Sequence, residues 1–180
     1  MTLLLKVLGA ALCIFTVSSE VVPQADFNAQ GMAGKWYLVG FATNAEWFVS
    51  RKASMKMGTA MFTPTADGDM EISYASLSSD GSCWRMNNFA KKADVPGKFT
   101  YTSRGNHNDM RMIEVKYDEY ALTHTMKTKA GDDTVVTKLY GRGADLSADL
   151  LEKFRQFSLE NGILPENIAF LPKNAECPAA

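Results

Sequence analysis

Met55–Leu77 reads MKMGTAMFTPTADGDMEISYASL. Two runs rich in apolar, aromatic and hydroxyl side chains flank Thr65-Ala66-Asp67-Gly68, and Asp-Gly between such runs is a strong hairpin signal. The stretch predicts a strand over Met55–Thr63 that ends at Pro64, a tight turn, and a second strand over Met70–Leu77. Upstream, Asp26–Ala33 reads as a lead-in turn with a short helical piece. Lys35–Thr43 is a strand with Trp36, Leu38, Gly40 and Ala42 on one parity, and Asn44–Lys52, which holds Trp47 and Phe48, is a loop or one helical turn. Downstream, Ser79-Asp80-Gly81 turns the chain into a strand over Ser82–Ala90, and a loop with Pro96-Gly97 leads to Lys98–Ser103. Gly105-Asn106-His107-Asn108 turns into Met110–Tyr117, Asp118-Glu119 separates that strand from Tyr120–Lys127, and Gly131-Asp132 precedes Thr134–Gly141.

Eight short strands with a turn signal after each predict an all-β antiparallel fold, either a sandwich or an up-and-down barrel. A barrel leaves no free edge, whereas a sandwich must protect its own. Eight strands enclose a space that side chains just fill or that holds one small ligand. One helix follows the strands. Ser147 can cap it, Leu150, Phe154 and Phe157 with Leu151 make one apolar face, and Gly162 with Pro165 ends it. Ile168–Leu171 is an extended tail. The expected architecture is an eight-stranded barrel with this C-terminal helix packed on its outside.

The first residues read as an address. Lys6 precedes the apolar run Val7–Phe15, and small Val17 and Ser19 precede polar Glu20, the order of a secretory signal. The run is short for a hydrocarbon core of roughly 30 Å, so an uncleaved anchor is the weaker reading. The expected division is a signal peptide over Met1–Ser19 and one domain over residues 20–180. The signal carries one cation and no acid, so the rest of the chain is one charge more negative than the −1 of the full sequence. No basic stripe invites nucleic acid, and no further apolar run suits stable membrane insertion. Cys13 departs with the signal. Cys83 and Cys177 remain in a chain bound for an oxidising compartment, where a disulfide is the natural reading and two free thiols the competing one. The bridge would close a long loop, worth about 4–5 kcal/mol in the chain-entropy model. No Asn-x-Ser/Thr sequon is present.

Three motifs stand in order along this chain: Gly34-Lys35-Trp36 at the start of the first strand, Tyr117-Asp118-Glu119-Tyr120 at the turn between the sixth and seventh, and Arg142 after the eighth. Together they resemble the three motifs of the lipocalins. The resemblance implies that Trp36 lies across the closed end of the barrel with Arg142 stacked on its ring, and that Trp36, Asp118 and Arg142 are structural. Finer matches narrow it. Ala42–Trp47, Arg51–Ala53, Pro64–Gly68, Tyr117–Leu122, Leu139-Tyr140 and Ile168–Pro172 are similar to lipocalin-type prostaglandin D synthase. Some members of that group carry lipids and also isomerise prostaglandin H2 with a cysteine thiolate on the second strand.

The enzymatic reading requires a soft nucleophile for the endoperoxide oxygen. The resemblance places the thiol position at Gly58 and two supporting hydroxyl positions at Leu38 and Ala60, with a third at Tyr74. Tyr140 is the one polar residue retained. The expectation is therefore a secreted, non-catalytic, monomeric carrier of a small lipophilic molecule such as a retinoid, fatty acid, bile pigment or thyroid hormone. Two alternatives compete with it: a prostaglandin-H2 D-isomerase, and a secreted ligand-sequestering or signalling protein with a cell-surface receptor. No cofactor is expected, and His107 and His124 are too isolated to hold a metal.

Strand parity puts Leu38, Gly58, Ala60, Ile72, Tyr74, Met112, Val136 and Tyr140 on the inner face, with Trp47 on the mouth loop and Met57 close to it. These ten are the candidate ligand-binding residues. The bland alternative for each is core packing. Met55, Met57, Met61, Met70, Met86, Met110, Met112 and Met126 are all expected on strands, where flexible thioethers suit an adaptable pocket or an ordinary core. Arg51-Lys52 and Lys91-Lys92 are short cation pairs that could attract a carboxylate at the mouth, although solvated surface is the simpler reading.

Overall fold

The computed structural model describes residues 20–178, so the expected signal over Met1–Ser19 lies outside the described residues. The strands are β1 (Gly34–Thr43), β2 (Thr59–Pro64), β3 (Met70–Leu77), β4 (Cys83–Lys92), β5 (Lys98–Ser103), β6 (Asn106–Lys116), β7 (Tyr120–Lys129), β8 (Asp132–Gly141) and β9 (Ile168–Phe170). Two helices join them: α1 (Trp47–Arg51), followed by a 3-10 turn over Lys52–Ser54, and α2 (Ala148–Glu160). Each strand from β2 to β8 pairs antiparallel with the next, and β1 pairs with both β8 and β2, which closes an eight-stranded up-and-down barrel. The barrel rather than the sandwich is therefore the fold.

β1 is divided between partners. Gly34–Tyr37 pairs with Thr59–Phe62 of β2, and Gly40–Ala42 pairs with β9 instead. This division corrects the expectation of a strand from Met55. Residues Met55–Gly58, with Met55 and Met57 among them, precede β2, because β9 and the tail behind it take the edge of β1 that a longer β2 would need. The Met57 amide donates to the Pro172 carbonyl at 2.9 Å, and the Gly58 carbonyl accepts from the Leu38 amide at 3.0 Å.

The parity expected for the first strand also changes. The β1–β8 register shifts between Leu38 and Gly40, so one residue is extra and the faces exchange. Gly40 now faces α2, where a Cβ would lie 2.8 Å from the Phe154 ring. Ala42 packs on the helix with it, and Phe41 turns into the barrel. A third correction concerns a turn. Arg104 and Gly105 alone make it, at φ 52° and 76°, so Asn106–Asp109 belong to β6. Ala130-Gly131, at φ 53° and 93°, likewise releases Asp132 into β8.

α2 is held as its sequence predicts. The Ser147 side chain accepts from the Leu150 amide, and Leu150 and Phe154 are buried against Ala42, Tyr120, Leu122 and Leu139 on the outer barrel wall. The closed end is built on Trp36. Its indole Nε1 donates to the Met32 carbonyl at 2.9 Å, and the Arg142 guanidinium lies 3.8 Å from the ring centroid. The same guanidinium donates to the carbonyls of Tyr117, Lys35, Gly31 and Ala33 at 2.8–3.2 Å. Asp118 is exposed, and its side chain makes no hydrogen bond among the described residues. Instead, Tyr117 and Glu119 tie that turn to Arg142 through backbone carbonyls.

Cys83 and Cys177 are joined in a disulfide. The bridge, with an Asn174 amide that donates to the Leu77 carbonyl and a Glu176 carboxylate that receives Lys35 and Tyr37, straps the tail across the outside of β1–β3. His124 is buried between β7 and α2. Its Nδ1 lies 2.9 Å from the Thr137 hydroxyl, and the ring meets Phe157 edge-on at 5.7 Å. Burial, reinforced by nearby Arg111 and opposed by Asp109, lowers its pKa to about 4.

Two outcomes follow for stability. Arg142→Lys keeps the charge but cannot reach four carbonyls with a planar fork, so it lowers unfolding free energy by about 2 kcal/mol, measured by urea titration. His124 is neutral when folded but titrates near 6.5 when unfolded. The unfolded chain thus binds the extra proton, and stability is full above pH 6.5 and is lost as pH falls toward 4, by on the order of 3 kcal/mol. Urea midpoints between pH 7 and pH 4.5 should fall steeply in the parent and much less in His124→Gln.

Candidate functional site

The interior divides into a packed floor and an open space. Phe62 and Tyr140 meet edge-on with centroids 5.5 Å apart, and Trp36, Met70, Phe99 and Met112 are all buried in the same cluster. Toward the open end lies a cavity of about 220 Å³. β1 contributes Leu38 and Phe41, β3 contributes Tyr74, and β8 contributes Val136. Trp47, the first residue of α1, closes over them. Its ring lies 6.2 Å from Phe41, and the buried Phe48 ring meets both, 5.4 Å from Phe41 and 5.9 Å from Trp47.

The structure brings four of the ten expected residues to this cavity: Leu38, Trp47, Tyr74 and Val136. Met57, Gly58, Ala60, Ile72, Met112 and Tyr140 are buried but do not line it. Parity indicates which face a residue takes, but not the height at which packing stops. Below the Phe62–Tyr140 pair the large side chains fill the barrel.

Gly58 and Tyr74 have a relation that parity does not reveal. A Cβ on Gly58 would meet the Tyr74 hydroxyl and lie 2.5 Å from the Ala75 carbonyl oxygen. Tyr74 therefore occupies the room that a side chain at Gly58 would need. Burial raises the phenol of Tyr74 to about 12 and also pushes those of Tyr101 and Tyr140 upward. All three are neutral hydroxyls at physiological pH. Among the described residues, the lining includes no cysteine, histidine, aspartate or glutamate.

Several wall residues fall outside the expected set. β4 and β5 pair only through Lys91–Lys92 with Phe99–Thr100. Beyond those two pairs the strands are not paired, and Trp84, Met86 and Asn88 from β4 with Tyr101 and Ser103 from β5 supply the wall. Alternation offered a signal here, since Trp84, Met86 and Asn88 share a face. The same rule applied to Val136 reaches Lys138 two residues on. Lys127, Lys138 and Arg104 all line the cavity. Burial lowers the pKa of Lys127, and the nearby charges of Lys138 and Arg104 lower it further. The expected cation pairs have other places: Lys52 donates to the Glu166 carbonyl, and Lys91 and Lys92 form the two β4–β5 pairs.

This arrangement can surround an apolar body and present cations and neutral hydroxyls to its end. It offers no group to serve as a soft nucleophile or carboxylate base. Comparison with known proteins agrees with the architecture. The model of the lipocalin / cytosolic fatty-acid binding protein family matches residues 33–175. A lipocalin of Rhinella marina is 38% identical over 170 residues, covering 93% of this chain and 91% of that protein. Prostaglandin-H2 D-isomerase of Canis lupus familiaris is 32% identical over 177 residues, covering 97% and 91%. The solved siderocalin Ex-FABP, described as functioning through dual ligand specificities, superposes with a TM-score of 0.72 at 29% identity, covering 82% of this chain and 99% of that one. With its plugged barrel, its outer helix and a match over most of its length, the chain belongs to the lipocalin / cytosolic fatty-acid binding protein family.

Proposed function

We propose that this protein is a secreted carrier of a small lipophilic molecule, a retinoid, fatty acid, bile pigment or similar, and that it carries out no catalysis. The observation that carries this reading is the cavity itself, a mostly apolar wall with neutral hydroxyls and without an acid, a histidine or a thiol. Such a lining orients a ligand by a few polar groups and holds it by burial. Removing ~300 Å² of apolar ligand surface from water is worth about 8 kcal/mol gross, which the costs of association reduce to roughly micromolar affinity. At about 220 Å³ the space is smaller than the roughly 300–1,000 Å³ usual for ligand pockets. A longer ligand would leave its end between Trp47 and Trp84. Export is supported by the order of residues in Met1–Ser19 and by the disulfide.

Relatives that isomerise prostaglandin H2 make catalysis the alternative. Against it stands the pairing of Gly58 with Tyr74. The resemblance puts the thiol position at Gly58, and Tyr74 with the Ala75 carbonyl takes the space a thiol would occupy. Catalysis would need both positions to change.

All-trans retinoic acid titrated against tryptophan fluorescence should give saturable quenching. Trp47→Phe with Trp84→Phe should abolish most of it, because Trp36 is sealed in the plug. Absence of saturable quenching would end the carrier reading. In parallel, prostaglandin H2 should yield no prostaglandin D2 above the spontaneous rate, and turnover at the rate of a thiol enzyme would refute the non-catalytic reading. Gly58→Cys and Gly58→Ala should each lower the thermal midpoint through a loss of about 1–3 kcal/mol, with no turnover gained by the cysteine.

A further inference from the structure

Lys127 on β7 lines the same cavity as Leu38, Phe41 and Val136. Among the described residues it forms no salt bridge, whereas Lys35, Lys98 and Lys153 each hold an acid. Its charged neighbours in the wall are Lys138 from β8 and Arg104 from the turn between β5 and β6. An amine in an apolar space beside other cations is the setting in which lysine becomes a nucleophile. We propose that Lys127 captures lipids that end in an aldehyde, by condensing with the carbonyl carbon to form an imine. The proposal rests on the carrier reading of the cavity and adds a covalent step to it. The capture is stoichiometric, so the protein acts as a trap for the aldehyde rather than as an enzyme.

The nucleophile is the free amine, because an ammonium has no lone pair to donate. Burial lowers the pKa of Lys127, and the charges of Lys138 and Arg104 lower it further. At Lys35 and Lys153 the direction is opposite, since hydrogen bonds to Glu176 and Glu114 raise them. A larger fraction of Lys127 than of these two is therefore ready to attack. Its lone pair adds to the aldehyde carbon, the carbonyl π electrons move to oxygen, and a proton passes from nitrogen to that oxygen to give a carbinolamine. The hydroxyl takes a proton from solvent at the open end and leaves as water, the nitrogen lone pair closes the C=N bond, and nitrogen releases its last proton. One water is lost and nothing is oxidised or reduced.

The position of Lys127 suits a molecule held by its tail. Thr125 pairs with Val136 across β7 and β8, and Lys127 lies two residues nearer the mouth on the face that lines the cavity. A tail among Leu38, Phe41 and Val136 thus brings its end to the amine. Arg104 is fixed by the tight turn, with its guanidinium 5.1 Å from the centroid of the Trp84 ring. The titratable groups of the lining, among the described residues, are these three cations with the phenols of Tyr74 and Tyr101, which burial raises and keeps neutral. With no carboxylate among them to balance an iminium charge, the adduct is held as the neutral imine.

The test compares all-trans retinal with all-trans retinol, which share a tail and differ at the aldehyde. Both should quench tryptophan fluorescence saturably. Only equimolar retinal, reduced with borohydride, should leave a stable adduct, heavier than the chain by the mass of retinal less one oxygen, and peptide mapping should place it on Lys127. Before reduction the bound retinal should absorb as a neutral imine and shift to the red only on acidification. Lys127→Arg keeps a cation but has no amine to condense, so it should lose the adduct. If that variant does not fold, the mapping on the parent decides alone. Lys138→Gln with Arg104→Gln should keep the adduct on Lys127 and move its formation to higher pH, because two repelling charges are gone. Retinal bound without a reducible adduct, or an adduct spread over the surface lysines, would overturn the capture and leave the carrier standing. No saturable quenching by either compound would overturn both.

Discussion

β1 has to satisfy partners on both edges, and the rest of the barrel is arranged around that constraint. Its first residues pair with β2 and its later residues with β9, while the whole length from Tyr37 pairs with β8. Within β1 the extra residue between Leu38 and Gly40 bends the strand and exchanges its faces. One consequence is that Gly40 and Ala42 face outward, where α2 seats Phe154 on them. Another is that Phe41 faces inward and helps to form the ligand space. Helix docking and cavity shape thus both depend on this irregularity.

The space above the floor exists for reasons of volume rather than chemistry. Trp36 and Arg142 seal the lower end through an indole, a guanidinium and four carbonyls, and Phe62 with Tyr140 completes the fill. Above them β4 and β5 lose their pairing, so their inner side chains form a wall instead of a solid core. The chemistry then comes from what the wall lacks and what it keeps. Among the described residues it lacks cysteine, histidine and carboxylates, and it keeps Lys127, Lys138 and Arg104.

Much of this was legible in the residues. Period-2 alternation and Asp-Gly, Gly-Asp and Pro-Gly turns give eight strands in order, because the inner face of a barrel must be apolar and its turns must bend. Ser147, Leu150 and Phe154 give the helix for the equally local reason of capping and a single apolar stripe. Three kinds of fact were hidden. The bulge in β1 leaves no mark in its own composition, so plain alternation groups Gly40 and Ala42 with Leu38 and misses Phe41. The start of β2 depends on a tail more than a hundred residues away, so alternation alone extends the strand back over Met57 and Gly58. The height of the floor depends on the summed volumes of residues from many strands, so parity alone does not separate Ala60, Ile72, Met112 and Tyr140 from the cavity wall. Lys127 and Lys138 were within reach, since each lies two residues from an inward neighbour, but a lysine inside a barrel runs against the ordinary expectation that charge faces water.

The central claim is that ligand occupies the upper barrel and stops at the Phe62–Tyr140 floor. Nuclear Overhauser contacts between an unlabelled retinoid and a methyl-labelled protein test it most directly. The account predicts contacts to the methyls of Leu38, Met86 and Val136 and none to those of Met70 and Met112. Contacts to Met70 or Met112, or contacts confined to the outer surface, would contradict it.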